Sequence, residues 1–317
     1  MLDELGHNDV DVAAVFSIHP RYSENIWDYR DLSELTMDHH IPHFRIRQID
    51  TEANVGRLHW LKPDLVLVMG FQQLIPPAVL DIPPMGVIGS HASPLPANRG
   101  RHPVPTSILT GEETGGLTFF YLTPRFDEGD IVLQRTWPIT VEDSAASLYR
   151  RMISTGREML KDLVGQLKSG TVRRTPQDVG RATRVPAWDP SAAAIDWRAN
   201  ARTCYDLVRA CTHPYPGAYS SLEGRKLTVW KEFLSYEGTD AEPGEVIGIY
   251  EQGVEIACGA GSVILQIVQI GDGPEEPARR AFDRLGVQSG YVLSASEPEL
   301  EQAGTESGFR QTLKSNP

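Results

Sequence analysis

Residues 64–70 (DLVLVMG) form a continuous apolar run of strand length, closed by a glycine. An apolar run without polar alternation marks a strand buried on both faces, as inside a parallel sheet. Strands and helices alternate around it. Residues 10–17 (VDVAAVFS) read as a strand, 32–40 as a short helix, 41–47 as a strand, 51–61 as a helix and 87–91 as another strand. The alternation predicts a doubly wound, mostly parallel α/β sheet. Residues 1–6 read as the end of a helix.

After residue 92 the texture changes. Residues 92–105 form a loop rich in proline and glycine. Residues 117–123 and 131–139 read as a strand pair joined by a turn. The stretch 144–168 is the clearest helix, with Leu148, Met152, Met159, Leu163 and Leu167 on one face. Asp143 or Ser144 caps its start and Gly170 ends it. Residues 171–189 are basic, contain proline and lack periodicity, as a linker does. Beyond them come a helix (202–211) and short strands at 218–221, 226–233, 244–249, 254–258 and 262–270, the pattern of a small β-rich domain, plausible as a barrel. The expected domains are 1–170, the linker 171–189, the β-rich domain 190–292 and a flexible polar tail, 293–317.

Composition narrows the function classes. The chain carries 42 acidic against 30 basic residues, a net charge of -12. A protein that grips a phosphate backbone usually presents a basic surface, so this balance argues against nucleic acid. No apolar run approaches the ~20 residues of a membrane-spanning helix, and the polar, acidic start is no signal peptide. Three cysteines, Cys204, Cys211 and Cys258, make no CxxC pair. They read as core thiols in a reducing cytoplasm rather than as a disulfide framework or metal site.

The chemistry-bearing residues fall in 86–130. Ligands of an open α/β sheet bind at the carboxyl ends of its strands. One strand ends at His91, and a later stretch ends in Phe126-Asp127-Glu128-Gly129-Asp130. A histidine beside a carboxylate makes an oriented general base. Taken alone, the pattern leaves alternatives open. A histidine at a strand end is more often structural. The acidic run equally suits a hairpin turn or a cation loop, although it matches no complete calcium loop. Arg99-Gly100-Arg101 suits either a solvated loop or an anion contact.

The run Gly86-Val-Ile-Gly89-Ser90-His91-Ala-Ser93-Pro-Leu95-Pro96-Ala-Asn98-Arg99-Gly100 resembles the signature of the folate-dependent formyltransferases. So do Gly111-Glu112, Gly115-Gly116-Leu117-Thr118 and Asp127-Glu-Gly129-Asp130-Ile131. The likeness continues through Ile195-Asp196-Trp197, Val208-Arg209-Ala210, Pro214-Tyr-Pro216-Gly217-Ala218 and Val229-Trp230, which resemble the C-terminal domain of the methionyl-tRNA and aminoarabinose-type members. It covers the chain to about residue 292.

This resemblance implies a Rossmann-like formyltransferase domain followed by a small OB-like barrel. It implies 10-formyltetrahydrofolate as formyl donor, and a role in one-carbon metabolism and biosynthesis. The pterin pocket falls on Met69, Gly70, Phe71, Gln72 and Leu74 and on Thr123 and Phe126. The family histidine falls on His91, as oxyanion stabiliser and proton carrier. The family aspartate falls on Asp127, which orients and charges His91. Asp130 is a neighbour without an implied role.

Two positions depart from the family pattern. The catalytic asparagine falls on Gly89, which has no side-chain amide; losing one oxyanion donor costs ~10²–10³ in rate. Ser90 and Asn98 are the substitutes in reach of sequence. The family also opens with a strand, a glycine-containing turn and most of a helix, so the start is expected to lie upstream of Met1.

For the acceptor, the stretch 18–35 has few of the basic residues that the tRNA-specific members carry there. Residues 186–290 hold nine Lys and Arg against fifteen Asp and Glu, a balance of -6. The preferred acceptor is therefore a small amine such as an amino-sugar nucleotide, with Arg99, Gly100 and Arg101 as substrate contacts. Methionyl-tRNA is the alternative. A folate-binding pseudoenzyme is a third reading, favoured by Gly89. No metal is expected.

Overall fold

A computed structural model describes residues 4–5, 10–24, 26–185, 189, 192–235 and 240–294. The chain divides into two units. The first comprises Met1–Pro103, Glu113–Ile139 and Leu148–Val185; the second comprises Val104–Glu112, Thr140–Ser147 and Pro186–Pro317.

In the first unit, β1 (Val15–Ile18) pairs in parallel with β2 (His43–Ile46). A separate sheet has the order β3 (Val66–Val68), β4 (Val87–His91), β5 (Thr114–Tyr121), β6 (Ile131–Pro138). β3 and β4 are parallel, and the sheet becomes antiparallel at β5 and β6. Among the described residues no ladder joins β1 to β3. The apolar run that anchors the sequence reading is thus an edge strand of the second sheet, three residues long. It is only half-buried.

Helices follow most of the sequence expectations. α1 is Ser33–Asp38 and α2 is Glu52–Leu61, with Thr51 Oγ1 accepting from the Asn54 N–H. Two proline-led helices lie where the sequence reading places no helix: α3 (Pro77–Leu80) and α4 (Pro103–Leu109), the second beginning inside the expected loop 92–105. Proline suits a first helical turn, where its missing N–H has no partner to lose. α5 (Ala145–Ser169) starts where the Ser147 N–H donates to Ser144 Oγ.

Alternate residues of the strands divide between two cores, as the period of two requires. Leu67 and Ile88 pack with Leu117, Phe119 and the α5 side chains Met159, Leu160 and Leu163. Val68 and Phe16 pack with Ile46, Leu58, Ile75 and Val79, and Leu122 joins them. Gly89 and His91 follow Ile88 at odd offsets, so both belong to the face of this second core.

The stretch expected as a linker lies, as far as Val185, along the first unit. Thr175 and Ile131 exchange both backbone hydrogen bonds, and Arg99 donates to Thr183 O and accepts from Val185 N.

In the second unit, β7 (Ala218–Leu222), β8 (Arg225–Ser235), β11 (Ser262–Ile270), β10 (Gly253–Ala257) and β9 (Val246–Tyr250) form an antiparallel sheet in that order; β12 (Glu276–Pro277) pairs with β11. α6 (Ala201–Cys211) is capped by Asn200, and α7 (Ala278–Leu285) follows β12. α7 is an element that the sequence reading does not place; it buries Ala278, Ala281 and Phe282 on one face. Arg209 is buried and holds 140–143 to α6, its Nη1 donating to Thr140 O and Asp143 O at 3.1 and 2.6 Å. The three cysteines are buried free thiols. No helix among the described residues is long and apolar enough to cross a membrane. Of the tail expected from 293, Leu293 is buried and Ser294 bridges Ser221; the rest lies outside the described residues.

Glu232 on β8 is 6% exposed, and neither carboxylate oxygen has a hydrogen-bond partner. Burial holds its pKa well above the usual carboxylate range. A raised carboxyl favours the fold fully below the unfolded pKa, and that contribution is lost as pH rises toward the folded pKa. Glu232→Met is therefore expected to stabilise the protein at pH 7–8 by about 1–3 kcal/mol, the cost of an unpaired buried polar group. The gain shrinks as pH falls toward 4. Denaturant melts of both proteins across that range check this, and a gain independent of pH would contradict it.

Candidate active site

β4 delivers His91 at its carboxyl end, 8% exposed. A carbonyl only accepts, so the 2.8 Å contact with Asn98 O has His91 Nε2–H as donor. Nδ1 then faces Asp127 Oδ1 at 3.7 Å. That span is too long for a direct hydrogen bond but lies within ion-pair range. Asp127 sits in a left-handed backbone conformation, φ 57°, which Asp tolerates better than most residues. Its other oxygen, Oδ2, accepts from the Gly100 N–H at 2.8 Å. The turn that carries it is possible only with glycine at 129, where a Cβ would lie 1.7 Å from Tyr121 O.

Glu128, next in the chain, is held by three arginines: Arg99 at 3.5 Å, Arg125 at 2.9 Å and Arg184 at 2.8 Å. Arg99 also donates to Gln177 Oε1 through Nη2, at 2.8 Å, and through Nε. The residues expected to contact substrate therefore divide. Arg99 is 4% exposed and committed to Glu128 and Gln177. Gly100 gives its N–H to Asp127. Arg101 is exposed and reaches Gln72 Oε1 at 3.4 Å.

The residues expected around a pterin lie on two loops that flank 99–101. Met69 and Phe71 pack into the two cores on either side of Gly70, whose φ is 64°. Leu74 and Phe126 are exposed apolar side chains, at 43% and 55%. Thr123 Oγ1 accepts from the Arg125 N–H and fixes the approach to the acidic turn. Gln72 and Asp127, one on each loop, are joined through Arg101 and Gly100.

Sequence reasoning missed Gln177 and Thr183, which lie in the expected linker. Thr183 Oγ1 accepts from the Asn98 N–H at 2.8 Å. Thr183 Oγ1 also donates to Asn98 Oδ1, so that side chain is turned to the segment 171–185, a strap along the first unit. No periodicity or motif in 171–185 marks either residue.

Two family models match the chain, formyl transferase over residues 2–164 and formyl transferase C-terminal domain over residues 189–285. The chain belongs to the formyl transferase family. It is 32% identical over 240 residues to the methionyl-tRNA formyltransferase of Ruminiclostridium cellulolyticum, covering 75% of this chain and 77% of that one. Its fold is similar to HypX from Aquifex aeolicus in complex with tetrahydrofolic acid, with TM-score 0.65 and 22% identity over 88% of this chain; the chain spans about half of HypX, 49%. It is also similar to WlaRD, a sugar 3N-formyl transferase solved in the presence of dTDP and 5-N-formyl-THF, with TM-score 0.63 and 17% identity over 86% of this chain and 93% of WlaRD. As a formyltransferase the chain is a one-carbon transferase, built as an α/β domain with a β-rich C-terminal domain.

Gly89 has a physical counterpart in this family member. A Cβ there would lie 2.5 Å from Leu122 Cδ2, so the Leu122 side chain fills the space over residue 89. Gly89→Asn alone is expected to cost about 1–3 kcal/mol through overpacking. Leu122 is half-buried, so Leu122→Ala alone costs less than a core truncation, about 1–2 kcal/mol. The double variant is expected to lose at least 1 kcal/mol less than the sum, read from a double-mutant cycle of unfolding free energies. Strict additivity would mean that the two side chains do not share the slot.

Proposed function

We propose that this formyltransferase moves the formyl group of 10-formyltetrahydrofolate to the primary amine of a small acceptor, a nucleotide-linked amino sugar being the preferred class. The observation that carries the reaction is the His91–Asp127 pair at the carboxyl end of β4, with Asp127 Oδ2 fixed by Gly100 N–H. The acceptor nitrogen attacks the formyl carbon. The bond from that carbon to N10 of the folate breaks, the amine loses a proton and N10 gains one. His91 Nδ1 and Asp127 carry the proton between them, and the protonated imidazole offsets the negative charge that builds on the formyl oxygen. The donor's ring system sits between Met69–Leu74 and Thr123–Phe126, where Leu74 and Phe126 offer exposed apolar surface.

Charge supports a small acceptor. The balance of -6 over 186–290 is a poor match for a tRNA stem, whose binding rests on neutralised phosphates. Arg101 and Arg125, both exposed at the rim of the acidic turn, suit a diphosphate. The second reading is methionyl-tRNA formylation, favoured by sequence relatives that carry that name.

A panel of acceptors decides between them. Release of tetrahydrofolate is measured with nucleotide-linked amino sugars, free amino acids and charged initiator tRNA. Turnover is expected with the amino sugar, and His91→Ala is expected to lower kcat by ~10²–10⁴. Preferential formylation of the tRNA, weakening steeply with salt, would establish the second reading. Folate binding without turnover of any acceptor would sink both.

A further inference from the structure

We propose that Gln177 is a positioning residue for catalysis, acting on His91 through Asp127. The inference rests on the His91–Asp127 reading above. The Gln177 side-chain amide donates through Nε2 to Asp127 O at 2.8 Å and to Gly129 O at 2.7 Å. Its Oε1 accepts from the buried Arg99 guanidinium. Arg99 is followed by Gly100, whose N–H holds the Asp127 carboxylate. The contacts therefore close a ring: Asp127 carbonyl, Gln177 amide, Arg99 side chain, Gly100 N–H, Asp127 carboxylate.

The ring fixes Asp127 from both ends. Its backbone is left-handed, an uncommon conformation for a residue with a Cβ, and such a conformation persists where the surroundings over-determine it. Two of the carbonyls that define the turn, those of Asp127 and Gly129, share one donor group, the Gln177 amide. The carboxylate direction depends on Gly100, which the same glutamine steadies through Arg99. The strap holds the other partner of His91 as well: Thr183 Oγ1 accepts from the Asn98 N–H, and Asn98 O accepts from the His91 Nε2–H. Gln177 itself is half-buried and is 50 residues from Asp127 in sequence, so it pins the turn from a separate segment.

Replacing Gln177 by Leu keeps the volume and removes all of these bonds. The turn keeps its glycine but loses the restraint on its carbonyls, and Oδ1 moves relative to His91 Nδ1. A displacement of about 1 Å at a proton-transfer pair costs up to ~10² in rate. The ring meets the donor loops only at Asp127, after Phe126, so the loss falls on kcat more than on donor binding.

The test uses the full chain with 10-formyltetrahydrofolate and the acceptor that turns over in the panel, or water as acceptor, read as formate release, if none does. Gln177→Leu is expected to lower kcat by ~10–100-fold with donor KM within about twofold. In an Asp127→Ala background the same substitution is expected to change kcat by less than twofold, because the group it positions is gone. The imidazole 15N spectrum of His91 reports independently of turnover. Gln177→Leu and Asp127→Ala should displace the Nδ1 resonance in the same direction, while Val179→Ser, an exposed change on the same strap, leaves it in place. Melting curves confirm that each variant is folded; should Gln177→Leu fail to fold, Gln177→Glu, which keeps an acceptor for Arg99 and loses the donors, takes its place. If His91→Ala leaves transfer intact, the reading beneath the inference fails. If His91→Ala abolishes transfer while Gln177→Leu keeps wild-type kcat and an undisplaced His91 resonance, the inference alone is overturned. Equal losses of kcat with and without the Asp127 side chain would also overturn it.

Discussion

The hydrogen bond from Gly100 N–H to Asp127 Oδ2 is the contact on which the rest of the site depends. It joins the loop after β4 to the turn between β5 and β6, two segments that the chain separates by 27 residues. Each segment brings half of the chemistry. The first carries His91 and its partner Asn98; the second carries Asp127. A charge-assisted bond to a backbone N–H is stronger than a neutral one and fixes direction as well as distance. With it in place, Oδ1 is left to face His91.

Charge placement around that bond follows from the same need. Asp127 and Glu128 are adjacent, and their like charges repel. Arg99, Arg125 and Arg184 all converge on Glu128 and offset its charge. Asp127 is thereby left to Gly100 and His91. The buried Arg99, expected to meet an anionic substrate, meets an internal one instead.

The strands, the long helix and the His91–Asp127 pair were legible because each has a local cause. β4 and β11 fall where the apolar runs place them, and α5 spans the amphipathic stretch within one residue at each end. His91 and Asp127 stand out because they sit in motifs of fixed spacing. What the sequence hid is non-local. The roles of Gln177 and Thr183 arise from backbone pairing between the strap and distant segments, and no composition marks it. The helices α3 and α4 hid behind prolines that also suit loops. The split of the first unit into two sheets follows from strand pairing, which periodicity does not report.

Gly89 joins the two kinds of feature. In sequence it is a missing amide; in the fold it is the position over which a core side chain closes. Leu122 packs with Ile46, Leu58, Ile75 and Val79 and also fills the space over Gly89, on the face that carries His91. The second core therefore reaches the strand that carries His91. An asparagine at 89 would have to displace apolar packing to present its amide, so the glycine is matched by its surroundings rather than merely tolerated. In the proposed reaction, oxyanion stabilisation then falls more heavily on His91, and the placement of His91 falls in turn on Asp127. A chain that has given one donor's place to its core depends more on the accuracy of the donor that remains.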